Sequence, residues 1–163
     1  MAARNGHTET VGALAQLGAN IDTPNENGAT PVFACSFNGH TETVTALVKL
    51  GANIDTPTKE GATPVFACSS TGHTETVTAL AQLGANIDTP DEEGATPVYM
   101  AAQQGHTETV QVLAKLGANF NTPANKNGRT PVFQASMNGR TETVRTLAQL
   151  GANVNTPNMD GLT

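Results

Sequence analysis

The chain of 163 residues is 37% hydrophobic, 4% aromatic and 13% charged, lacks tryptophan, and carries a net charge of −6 at neutral pH. An acidic balance argues against nucleic-acid binding, which needs a basic footprint, and so few large side chains argue against an ordinary globular core of this size. No stretch approaches the ~18 consecutive apolar residues that span a bilayer. The N-terminal MAARNGHTETV has no apolar run suited to a signal peptide. The expected setting is intracellular and reducing: cytoplasmic, with the nucleus left open.

In chain order, Met1 to Arg4 align with the end of a first helix, and Asn5-Gly6-His7 leads into a second helix over Thr8 to Leu17. Gly12 lies inside that helix, where glycine costs about 1 kcal/mol relative to alanine, so this helix is expected to be the least stable. The stretch from Asn27 to Lys59 then sets the organisation. It returns almost letter for letter at Glu60 to Glu92, and twice more with looser spelling. Thr30-Pro31 recurs as Thr63-Pro64 and Thr96-Pro97, and Gly39-His40 as Gly72-His73 and Gly105-His106, a period of 33 residues. The chain therefore reads as one array over 1–163. A truncated unit (1–26) precedes full units 27–59, 60–92, 93–126 and 127–159, and 160–163 begins a further one. One extra residue falls in Ala124-Asn125-Lys126-Asn127, at a turn tip where insertion is tolerated.

Each unit reads as two short helices. Gly28 suits a turn of positive φ. The Thr30 hydroxyl can accept from free N–H groups at a helix start, and Pro31 at the first helical position forfeits no hydrogen bond. The pattern predicts a helix over Pro31–Asn38, stopped by Gly39 in the left-handed conformation. A second helix is predicted over Thr41–Leu50, with Val44, Leu47 and Val48 on one face. Helices this short do not persist alone in water. Stacking between units must hold them.

A turn, Thr-Pro and a small-residue helix, Gly-His, a second helix with Val-x-x-Leu, then Gly-Ala-Asn, repeated every 33 residues, is similar to the ankyrin repeat. The resemblance covers the whole chain. It implies an all-α solenoid of stacked helix-turn-helix units joined by short β-hairpin turns. The family usually has Leu-His after Thr-Pro; here the pair is Val-Phe (Phe33, Phe66, Phe133) or Val-Tyr (Tyr99). A phenyl ring cannot make the inter-unit hydrogen bonds of the family's histidine. These rings are therefore expected to fill space between units, replacing polar cross-links with apolar burial.

Residues with chemical potential have structural readings. His7, His40, His73 and His106 occupy equivalent places in successive units. Packed helices lie 8–10 Å apart, too far for such histidines to share a zinc ion held by bonds near 2.1 Å. They are expected to bond local backbone at the start of the second helix, with Arg140 taking that place in the last unit. Cys35 and Cys68 are likewise equivalent, and stacking keeps their Cα atoms beyond the roughly 7 Å limit of a disulfide. Both are expected to be buried free thiols. Asp91-Glu92-Glu93 lacks the ligand spacing of a calcium loop and reads as a solvated turn tip. The Thr-Glu-Thr of every unit reads as a helix start with a carboxylate near the positive helix end. No catalytic residue, metal site or cofactor is expected.

The positions that vary between units are more informative than those that repeat. On the inner helix they are Arg4-Asn5, Phe37-Asn38, Ser70-Thr71, Gln103-Gln104 and Met137-Asn138. At the turns they are Glu26-Asn27, Lys59-Glu60, Glu92-Glu93 and Lys126-Asn127, with Arg129 beside the last. The resemblance maps these positions to a concave groove where such arrays grip partners, and implies a non-catalytic protein-binding module. Drift at solvent positions stays open as the alternative, and with it a structural spacer in a longer array that has no specific partner. Phe37 and Met137 suit anchors of a contact surface. Charge is uneven as well. Up to Glu108 there are twelve acids and three bases; from Thr109 onward there are two acids and five bases. Head-to-tail association of chains is expected from apolar faces left uncovered at the ends, with Val11 and Leu14 in front and Leu147, Leu150 and Val154 at the rear.

Overall fold

The computed structural model describes residues 1–123, 126–156, 159 and 161. The extra residue expected around Ala124 and Asn125, and most of the further unit expected over 160–163, lie outside the described residues.

Among the described residues a 3-10 turn (Ala3–Asn5) is followed by nine α-helices. Outer helices α1 (Thr8–Gln16), α3 (Thr41–Lys49), α5 (Thr74–Gln82), α7 (Thr107–Lys115) and α9 (Thr141–Gln149) stack in one layer. Inner helices α2 (Pro31–Phe37), α4 (Pro64–Thr71), α6 (Pro97–Gln104) and α8 (Pro131–Met137) stack in the other. Each inner helix packs against the outer helix that follows it, and the 3-10 turn packs on α2.

The inner helices start as expected. The hydroxyls of Thr30, Thr63, Thr96 and Thr130 accept from the N–H groups of Phe33, Phe66, Tyr99 and Phe133 at 3.2–3.4 Å. Gly39 and Gly72 end their turns at φ 73° and 79°, conformations that cost an L-residue about 1–2 kcal/mol. The intervening turns are each closed by two backbone bonds, such as Asn25 N–H to Ala29 O with Gly28 N–H to Asn25 O, and Thr58 N–H to Ala62 O with Gly61 N–H to Thr58 O. No strand forms among the described residues.

The core runs between the layers as columns of equivalent residues. Val32, Val65, Val98 and Val132 form one, Val44, Val77 and Val110 a second, and Leu47, Leu80, Leu113 and Leu147 a third. Cys35, Cys68, Ala101 and Ala135 form a fourth, in which only small side chains let the inner helices approach. Of the residues expected to be uncovered, Val11 and Leu147 are buried. Each is on the face of its outer helix turned to the core, and the neighbouring helices already cover it. Leu14, Leu150 and Val154 are exposed.

Polar ladders join one unit to the next. Thr8 shares a hydrogen bond with Thr43, Thr41 with Thr76, Thr74 with Thr109, and Thr107 with Thr143, at 2.8–2.9 Å. The side chains of Asp22, Asp55, Asp88 and Asn121 accept from the backbone N–H of Asn53, Asn86, Asn119 and Asn153 at 2.9–3.1 Å. Thr41-Glu42-Thr43 is thus more than a helix start, since both threonines tie α3 to its neighbours on either side.

The histidines also differ from expectation. His40 Nε2 donates to Arg4 O and His106 Nε2 to Ser70 O, both at 3.1 Å and both in the preceding unit, so the bond is not local. A carbonyl only accepts, which fixes Nε2 as the protonated nitrogen. Arg140 reproduces the bond, Nε donating to Gln103 O at 3.1 Å. The cause is steric. A Cβ on Gly6, Gly39, Gly72 or Gly105 would come within 2.5–2.8 Å of the side chain of His40, His73, His106 or Arg140. The bare glycine backbone lets the next unit's side chain lie across it towards the carbonyl.

Candidate functional site

The variable positions lie along the inner helices and turn tips, which Gly28 and Gly61 hold together. A Cβ on either glycine would come within 2.8 Å of the backbone N of Lys59 or Glu92 in the next turn. That close approach lets Lys59 N–H bond Asn27 O and Glu92 N–H bond Glu60 O, both at 3.0 Å. Lys126 N–H bonds Glu93 O at 3.1 Å and Met159 N–H bonds Asn127 O at 3.2 Å in the same way. The turn tips therefore form a continuous edge with their side chains outward. Glu26, Asn27, Lys59, Glu60, Glu92, Glu93, Lys126 and Asn127 are all exposed.

Between this edge and the inner helices lies a groove of about 380 Å³. It brings together five of the expected residues, Arg4, Asn27, Phe37, Asn38 and Glu60, and adds Phe33 and Asn25. Phe37 is 48% exposed and Met137 is 55% exposed, as an anchor position requires. Phe33 is half-buried, with part of its ring in the groove wall. The signal that could have placed it there is its distance of four residues from Phe37 on one helix, which puts both rings on one face.

The remaining expected residues are not equivalent. Ser70 and Thr71 are half-buried, and their hydroxyls bond Ala67 O of their own helix at 2.8 and 3.0 Å. Asn138 donates to Gln103 O at 3.1 Å; Gln103 is half-buried and Gln104 exposed. Lys126 pairs with Glu93 at 3.1 Å, both side chains well exposed. Arg129 lies 5.8 Å from the centroid of the Phe133 ring. The middle of the surface is thus polar and its two flanks apolar.

The ring positions divide. Phe66 packs against the buried cluster of Ala95 and Tyr99 in the next unit, as space-filling predicts. Tyr99 departs from apolar replacement: its hydroxyl donates to Gln134 Oε1 at 3.0 Å, a buried polar link between units.

Cys35 and Cys68 are free and buried. Burial pushes the Cys35 thiol up to about 12 and that of Cys68 higher still. Each donates a weak bond to a backbone carbonyl, Val32 O or Val65 O. A thiol held protonated is a poor nucleophile. Among the described residues no group of three or more histidine, cysteine, aspartate or glutamate side chains could hold a metal ion. None of the described helices is long and apolar enough to cross a membrane.

A family model for ankyrin repeats in three copies matches residues 1–91 and 83–158. No curated protein sequence matches the chain.

Proposed function

Because the chain belongs to the ankyrin-repeat family, whose repeats are generally protein–protein interaction modules, we propose that it binds a protein partner through the concave groove of turn tips and inner helices. The observation that carries this reading is the groove around Phe37. A large apolar side chain stands half-exposed there between a wall of Phe33 and Ala34 and a rim of Asn27, Asn38 and Glu60. An exposed aromatic within a polar rim is the usual composition of an energetic anchor. Met137 supplies a second apolar point at the far end of the same surface, and the polar centre between them selects among partners. The reading is non-catalytic.

The test starts from proteins captured on the immobilised chain and identified by mass spectrometry. For a groove ligand, Phe37→Asp should weaken binding by at least about tenfold, the effect of losing one anchor, with Met137→Asp weaker but in the same direction. Binding indifferent to both changes would remove the groove from the proposal. If no specific ligand is captured, and deleting whole units alters only spacing, the chain is a structural spacer in a longer array.

A further inference from the structure

We infer that the outer layer carries a second interaction surface, an apolar ridge by which two copies of this chain pair side by side and antiparallel. The ridge consists of Leu17, Leu50, Leu83, Leu116 and Leu150, the C-cap residues of the five outer helices. Leu83 is half-buried, and the other four are between 36% and 84% exposed. None of the five belongs to the core, and none lines the groove around Phe37. One exposed leucine is ordinary on a protein surface. Five at the same register of five stacked helices, at the roughly 10 Å spacing of packed helices, make a stripe about 40 Å long. The fold does not require them, because the cap bond at each position is made by the backbone N–H.

Two features select a second copy as the occupant. The first is pitch: the surface sure to present apolar residues at this spacing is the same ridge on another chain. A two-fold axis at Leu83 sets Leu50 against the partner's Leu116 and Leu17 against the partner's Leu150, a self-complementary contact that closes. The second is charge. Five residues beyond each leucine stand Asp22, Asp55 and Asp88 in the first three units, but Asn121 and Asn155 in the last two. Lys49 and Lys115 precede Leu50 and Leu116. A parallel pair sets each of the three aspartates against itself, whereas lysine meets lysine in either arrangement because one precedes both Leu50 and Leu116. The antiparallel pair sets Asp22 and Asp55 opposite the partner's Asn155 and the partner's Asn121, brings the partner's Lys115 to the unit that carries Asp55 as well as Lys49, and leaves only Asp88 among the aspartates facing its own copy. It also lays the acidic front of one outer layer along the more basic rear of the other: the first four outer-helix starts and the three aspartates supply seven acids against one base, Lys49, whereas the rear has Glu142 with Lys115 and Arg145.

The test is sedimentation equilibrium of the whole chain and two double variants, with circular dichroism to verify folding. The chain should form a closed dimer. L50E/L116E sets carboxylate against carboxylate in the antiparallel pair and should raise the dissociation constant by at least about 100-fold. L50K/L116E sets lysine against glutamate and should return it to within about tenfold of the parent. Three outcomes would overturn the inference. One is a chain that stays monomeric up to about 1 mM, the weak limit of specific association, whatever else the ridge binds. Another is open-ended growth with concentration, which marks end-to-end stacking. The last is equal dissociation by both variants, which excludes the antiparallel register.

Discussion

Two thiols report on the core at the residue scale. Cys35 and Cys68 share their column with Ala101 and Ala135, so the site already accepts a side chain smaller than cysteine. The folded chain holds both thiols protonated, with Cys35 raised from 9.0 to about 12 and Cys68 raised further. The sign of the pH dependence follows. Below pH 9 both states keep the proton and stability is flat. Between pH 9 and 12 the unfolded chain releases protons that the folded chain retains, so stability falls as pH rises, by about 1.4 kcal/mol per pH unit and thiol at most. Urea titrations at pH 8 and pH 10 should therefore show a larger loss for the parent than for C35A/C68A. Equal losses would mean that the thiols ionise freely in the fold. A bulky thiol reagent should label neither cysteine quickly in the native state.

The elements differ in what their glycines do. Gly12 lies within α1, and a Cβ there would meet nothing within 4 Å. Gly12→Ala should therefore stabilise the chain by about 1 kcal/mol, seen as a shift in the urea midpoint. Gly72 and Gly84 both have positive φ, but only Gly72 faces a neighbour, His106 Nδ1, 2.6 Å from its ideal Cβ. Gly72→Ala should cost more than Gly84→Ala, whose penalty is the left-handed conformation alone, about 1–2 kcal/mol. In a double-mutant cycle His106→Ala should remove much of the excess. The helix limits were legible in the sequence because they depend on nearest neighbours: Thr30 capping, Pro31 entering, Gly39 turning. The groove was legible in part, through Arg4, Asn27, Phe37, Asn38 and Glu60. What stayed hidden spans 31 to 37 residues, as in His40 to Arg4, Thr41 to Thr76 and Asp22 to Asn53. Local chemistry gives the same residue types at a helix start whether they bond their own backbone or the next unit's. The one available signal was Arg140, since histidine and arginine share an N–H that can reach a carbonyl. Of the ridge leucines only Leu150 was expected to be uncovered, because a single leucine at a helix end does not mark a stripe until the exposure of its equivalents is known.

The whole molecule is held by contacts between neighbours, so its protection should be graded along the array. Helices α4 and α5 have a unit on each side, whereas α1 packs against α3 alone in its layer and contains Gly12. Amide hydrogen exchange should be slowest in α4 and α5 and fastest in α1; uniform protection would mean that the array unfolds as one cooperative block. The junction itself has a consequence for how such a chain changes over generations. Each internal unit carries at its middle a bare glycine that admits the next unit's side chain and, directly after it, a histidine that lies over the glycine of the unit before; Arg140 does the same in the last unit. Donor and recipient surfaces are the same at every boundary. An unequal crossover in the gene that adds or removes 33 codons therefore rebuilds a complete boundary wherever it falls, with no second mutation needed to repair the packing. The near-identity of Asn27–Lys59 and Glu60–Glu92 is the pattern that such an exchange leaves, and the groove lengthens or shortens by one unit each time.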